Sequence, residues 1–228
     1  MLTDANSIHI REHGSMLAPI EKRVLVWMAK RLPRRINSDH LTLVGFAGMI
    51  LAGLGYSLAT QYRTALFVVV FALLVNWFGD SLDGTLARVR HQQRPRYGYY
   101  VDHVLDIMGT FFLVGGLALS GCMSPLLALV LLAAYLMVAA EEFLATHVQH
   151  VFHLSFLGFG PTELRIMLAV GTVYVFYRPY VHLGGIGVFR LFDVGGSVAI
   201  AGLGLKLVVC ALRNTCALYL AERLPRSG

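Results

Sequence analysis

Four aspartates, Asp80, Asp83, Asp102 and Asp106, interrupt stretches of the chain that are otherwise largely apolar. Asp80 and Asp83 stand three residues apart and Asp102 and Asp106 four apart, so on helices each pair projects from one face. The polar segment between the pairs, Arg88 to Tyr97, is short enough to make the two helices antiparallel neighbours, with the carboxylates converging at one end. Anions gathered in a low dielectric repel one another unless a cation joins them. Hard divalent ions such as Mg²⁺ or Mn²⁺ take oxygen ligands and suit this group, and two such ions can clamp a diphosphate between attacking and leaving oxygens. No Cys/His set with zinc-ligand spacing competes for the role, and His103 points along a different helical direction from Asp102 and Asp106.

The neighbours of the acids have two readings each. Gly84 and Ala87 share the face of Asp80 and Asp83 and remove bulk where a ligand approaches, but small residues also serve helix packing. Arg88 offers a bidentate cation to phosphate oxygens, or an anchor at the membrane face.

The elements that must hold these residues are membrane helices. The 228 residues are 57% hydrophobic and 14% charged, against roughly a quarter charged in an ordinary soluble domain. Several runs approach the roughly 20 apolar residues needed to cross the bilayer. Six spans are expected, at about residues 41–60, 64–88, 99–121, 125–146, 162–180 and 192–220. Before them, residues 16–32 place Leu17, Ile20, Val24, Trp27, Met28 and Leu32 at helical spacing among basic side chains, the pattern of an amphipathic helix in the interface plane, which Pro33 ends. The fold class is thus all-α integral membrane. Its expected parts are a cytoplasmic arm with a juxtamembrane helix over residues 1–40 and a six-helix membrane domain over 41–228.

Charge orients the bundle. Thirteen of the nineteen Lys and Arg residues fall in the N-terminal arm, between Arg88 and Arg96, or at the extreme C-terminus. Clusters bordering apolar spans fit the positive-inside rule and the lipid bilayer as partner, and argue against nucleic acid, despite a net charge of +6. Both termini and the acids are then expected on the cytoplasmic side. The first forty residues lack an h-region, so insertion is expected to rely on the first span. Cys122, Cys210 and Cys216 read as small packing residues.

The order Asp80-x-x-Asp83-Gly84-x-x-Ala87-Arg88, then nine residues, then Gly98-x-x-x-Asp102-x-x-x-Asp106 resembles the signature of the CDP-alcohol phosphotransferases at all eight positions. The six spans and the N-terminal amphipathic helix match that family too. The resemblance implies cleavage of a CDP-linked donor (CDP-diacylglycerol or a CDP-amino alcohol), transfer of the phospho-alcohol to an acceptor hydroxyl, release of CMP, and a homodimer. It makes Asp80, Asp83 and Asp102 ligands of two Mg²⁺ or Mn²⁺ ions, with Asp106 beside the metals as general base. Gly84, Ala87 and Arg88 would line the CDP site. Ser38-Asp39-His40-Leu41-Thr42 resembles the family's Pro-Asn-x-Leu-Thr segment with two replacements, so Thr42 reads as a CDP contact or as an ordinary helix-start residue.

Thr162 can cap the fifth span, and Glu163 and Arg165 stand where an acceptor head group can be read, or form a surface ion pair. His147, His150 and His153 follow Glu141 and Glu142 at a spacing of three, which reads as a polar helix end. Asp193 is expected at the interface, and Lys206, mid-span, either pairs with a buried acid or snorkels. Asp102-His103-x-x-Asp106 and Glu163 resemble the amino-alcohol branch of the family, whereas the short chain resembles bacterial phosphatidyl transferases, which leaves the substrate pair open. The rival reading is a small ion- or proton-coupled transporter using the aspartates as pathway ligands. It gives no reason for Gly84, Ala87 and Arg88 at fixed spacing beside them.

Overall fold

The computed structural model describes residues 18–149, 161–185 and 187–222. Over these the apolar runs form seven helices and one hairpin. The helices are α1 (Ala18–Arg31), α2 (Ser38–Leu58), α3 (Ala65–Val89), α4 (Pro95–Leu119), α5 (Pro125–Gln149), α6 (Pro161–Tyr177) and α7 (Leu191–Ala221). Prolines open α4, α5 and α6, where a missing N–H costs nothing because the first turn has no partner for it. That is why α4 begins at Pro95, four residues before the expected start at 99.

Five helices, α2, α3, α4, α5 and α7, are long and apolar enough to cross a membrane. The expected fifth span, at about residues 162–180, is the exception. Helix α6 has 17 residues, which at the usual rise is about 25 Å against roughly 30 Å of hydrocarbon. The loop expected after it holds a two-stranded antiparallel hairpin, β1 (Tyr180–Leu183) and β2 (Gly187–Arg190), with Tyr180 opposite Arg190. Gly184 and Gly185 stand in its turn, and Gly185 has φ +79°.

The centre of the bundle is α2 laid against α3 and α4. A Cβ added to Gly79 on α3 would sit 2.3 Å from the Gly45 nitrogen of α2, and one on Gly116 of α4 would sit 2.0 Å from the Gly53 oxygen. Backbone therefore meets backbone at both crossings, the small-residue mode of membrane-helix packing. Beyond this seam Tyr56, Val69, Leu73 and Met123 are buried, and Tyr56 and Thr172 share a 2.7 Å hydrogen bond that ties α2 to α6.

Helix α1 buries Leu25 and Ala29 in one cluster with Leu82 and Leu86, while Lys22, Arg23, Trp27, Lys30 and Arg31 stay exposed. Arg90, just past the end of α3, donates to the carbonyls of Leu32, Pro33 and Ile36. The amphipathic helix thus lies along the last turns of α3. Its expected first residues, Met16 and Leu17, lie outside the described residues, as do His150, His153, Gly158 to Gly160, Arg11, Arg223 and Arg226.

Helices α5 and α7 pair through polar contacts as well as apolar ones. Lys206 Nζ lies 2.5 Å from Glu142 Oε1, and Asn214 Nδ2 donates to Glu141 Oε1 at 2.7 Å. Of the two readings of Lys206, pairing with an acid is the one observed. Asp193, expected at the interface, accepts from the Ser124 backbone N–H at 2.6 Å and so links the starts of α5 and α7.

Candidate active site

Helix α3 brings Asn76, Asp80, Asp83, Gly84, Ala87 and Arg88 along its second half, and α4 brings Gly98, Asp102 and Asp106 along its first. The antiparallel crossing that the short 90–94 connection enforces puts these halves at the same end of the bundle. Arg94 in that connection pairs with Asp39 at the start of α2, and this hydrogen bond raises the guanidinium pKa further above its ordinary value. Both partners are well exposed, so the contact holds the turn more than it stabilises the fold.

Carboxylate oxygens of Asp80, Asp102 and Asp106, one from each, lie within 4.8 Å of one another. Three oxygen donors from two helices at that separation fit a hard divalent cation, and the group contains no thiolate or imidazole. The cleft beside them is lined by Thr42, Phe46 and Met49 of α2 and by Asn76 of α3.

Asp83 stands apart from this trio. Its Oδ2 accepts from Thr42 Oγ1 at 2.6 Å, and its Oδ1 faces the Gly84 N–H. It remains close enough to Asp80 and Asp102 to feel their charge. Thr42 therefore does more than start a helix: its hydroxyl bridges α2 to the acidic face of α3.

Arg165 enters from α6. Its Nη2 donates to Asp80 Oδ2 at 2.5 Å and its Nε to Asn76 Oδ1 at 2.7 Å, while Asn76 Nδ2 donates to the Gly45 carbonyl at 2.9 Å. Asn76 was not singled out from the sequence, although one signal existed: it stands four residues before Asp80, on the same helical face, in an apolar run. Glu163, expected beside Arg165 at an acceptor site or in a surface ion pair, stands half-buried in the first turn of α6. Thr162, read as a cap, instead donates its hydroxyl to Glu21.

Gly84 and Ala87 are half-buried and Arg88 is exposed, with its Nη2 3.0 Å from Thr85 Oγ1. Gly98 differs from the seam glycines, because a Cβ there would meet nothing within 4 Å. His103 Nδ1 lies 2.7 Å from the Tyr99 carbonyl oxygen, and its ring packs on Tyr99 and Phe143. His147 is exposed near the end of α5.

Residues 36–208 match the sequence profile of the family described as CDP-alcohol phosphatidyltransferase. Among solved structures the fold is similar to that of the Mycobacterium tuberculosis phosphatidylinositol phosphate synthase PgsA1 with CDP-DAG bound. The TM-score is 0.59 at 17% identity, over 89% of this chain and 99% of that one, a likeness that bears on the fold alone. No curated protein matches the chain by sequence.

Proposed function

The chain belongs to the CDP-alcohol phosphatidyltransferase family, and we propose that this membrane enzyme moves a phosphatidyl, or related phospho-alcohol, group from a CDP-linked donor to an acceptor hydroxyl in phospholipid synthesis, with release of CMP. The observation that carries the proposal is the convergence of Asp80, Asp102 and Asp106 from two helices onto one point.

In this reading Asp80, Asp83 and Asp102 would hold the divalent ions, two Mg²⁺ or Mn²⁺, with Asp106 beside them. Bound there, such ions supply charge stabilisation to the phosphoryl oxygens. The chain's own groups do the rest. Asp106 takes the proton from the acceptor hydroxyl, which is a poor nucleophile until a carboxylate within hydrogen-bond reach removes it. Thr42 orients Asp83 through its hydroxyl. Arg88, with Gly84 and Ala87 leaving room on the same face, receives the CDP moiety. The open space over Gly98 belongs to the same donor site.

Glu163 and Arg165 face the acceptor, at the end of the bundle where α6 begins. The basic residues at that end, among them Arg34, Arg35, Arg90, Arg94 and Arg96, support its assignment to the cytoplasm, where a CTP-derived donor is made. The proposed arrangement is a cytoplasmic arm up to residue 40 followed by the membrane domain, working as a homodimer as the family likeness implies.

The deciding experiment is mass spectrometry of host lipids after expression of the wild type and of Asp106→Asn. A product present with the wild type and lost in the variant names donor and acceptor together. Identical lipids from both, with ion flux in vesicles that depends on Asp106, would transfer the aspartates to the transport reading.

A further inference from the structure

Glu21 lies outside the carboxylate group, on the helix that precedes the bundle, yet one of its oxygens gathers donors from two other helices. Oε1 accepts from Trp77 Nε1 at 2.8 Å and Ser81 Oγ at 3.2 Å, both on α3, and from Thr162 Oγ1 at 2.8 Å on the first turn of α6. All three donors are neutral, so the contact fixes position without neutralising charge.

Two registers meet at this oxygen. On α3, Trp77 and Ser81 directly follow Asn76 and Asp80, so the face turned to Glu21 adjoins the face turned to the site. On α6, Thr162 precedes Arg165 by three residues, close to one helical turn, and Arg165 is the residue that reaches Asp80 and Asn76. Helix α6 packs chiefly on α3. Where its first turn rests along α3 therefore decides whether the guanidinium meets the carboxylate. Helix α1 is itself fixed to α3 by buried Leu25 and Ala29 and by the hold of Arg90 on the carbonyls that follow it, contacts that do not involve Glu21.

We propose that Glu21 is a positioning residue. By holding Thr162 it sets the first turn of α6 against α3, and so seats Arg165 on Asp80. The inference rests on the reading of the Asp80 group as the reaction centre. It extends that centre to a helix that contributes no residue to the cleft.

The test removes two of the three donors, and the acceptor, one at a time in the full chain reconstituted in nanodiscs. Transfer is followed by CMP release, and Mn²⁺ affinity by electron paramagnetic resonance. Thr162→Val takes away only the link to α6 and is expected to lower transfer by about ten- to a hundredfold, the scale of a small misplacement of a working group. It is also expected to shift Mn²⁺ affinity in the same direction as Arg165→Gln. Ser81→Ala leaves Trp77 and Thr162 on the carboxylate and should stay within about twofold of wild type, since it breaks one neutral bond of three. Glu21→Gln keeps an acceptor oxygen for neutral donors and should retain most activity where Glu21→Ala does not.

Wild-type transfer and Mn²⁺ affinity in Thr162→Val would overturn the proposal. So would an equal loss in Ser81→Ala, which would mark Glu21 as general packing. If the wild type turns over no CDP-linked donor while Thr162→Val still shifts Mn²⁺ affinity, the transferase reading fails and the positioning role stands.

Discussion

Arg165 donates to Asp80 across the α6–α3 contact, Nη2 to Oδ2 at 2.5 Å, and so places a fixed cation on a carboxylate that also belongs to the oxygen group of Asp102 and Asp106. A divalent ion bound to this group would then compete with the guanidinium for one side chain. Replacing Arg165 by Gln is expected to tighten Mn²⁺ binding by about three- to tenfold, the scale of a partly buried ion pair, while lowering transfer at saturating metal. Electron paramagnetic resonance titration reads the first effect and CMP release the second. Weaker Mn²⁺ binding in the variant would mean that Arg165 organises Asp80 and does not compete for it.

Asp106→Asn separates proton transfer from metal binding. Loss of a general base lowers the rate by about a hundredfold or more, whereas a neutral amide at that position should weaken Mn²⁺ binding less than Asp80→Asn does. Equal losses of Mn²⁺ affinity in the two variants would make Asp106 a metal ligand first.

Chelation tests the oxygen-ligand argument directly. Removal of divalent ions is expected to abolish transfer, and Mg²⁺ or Mn²⁺ to restore it, because an all-carboxylate group suits hard ions. Undiminished CMP release after exhaustive chelation would refute a metal-dependent reaction.

Two glycines on neighbouring helices should respond in opposite ways. A Cβ on Gly79 has the Gly45 nitrogen 2.3 Å away, so Gly79→Ala is expected to lower the thermal unfolding temperature in detergent, with an overpacking cost of at least about 1–3 kcal/mol. A Cβ on Gly98 meets nothing within 4 Å, so Gly98→Leu should leave unfolding unchanged and still lose transfer by occupying the donor's space. Full activity in Gly98→Leu would remove that space from the donor site.

Lys206 and Glu142 should prove coupled. Breaking a desolvated pair from one side leaves the other charge stranded, so Lys206→Met and Glu142→Gln should each destabilise the fold by about 1–3 kcal/mol and the double variant by less than their sum. Thermal unfolding of all four proteins closes the cycle. Simple additivity would show that the two side chains are independently solvated.

The acidic pairs were legible in the sequence because their chemistry is local: carboxylates three and four residues apart in apolar helices leave few alternatives. The helix starts were legible where Pro125 and Pro161 mark them. What the sequence could not carry were contacts set by how helices cross. Thr42 meets Asp83 from another helix, Arg165 meets Asp80 from a third, and Glu21 meets Thr162 from the far end of the chain. Each partner looks ordinary in its own segment. The hairpin was missed for a different reason, since four-residue strands in a loop carry too little periodicity to stand out, although the Gly184-Gly185 turn was a signal.

The glycine seam has a consequence for which parts of this enzyme can change. Where Gly79 meets Gly45 and Gly116 meets Gly53, no side chain lies between the backbones to take up a displacement. The three helices that carry Thr42 and the aspartates therefore move as one piece, with little tolerance for drift. Helix α7, most of whose residues face outward, has no such constraint. Substitutions on the outward face of α7 can therefore accumulate while the spacing of the acids stays the same.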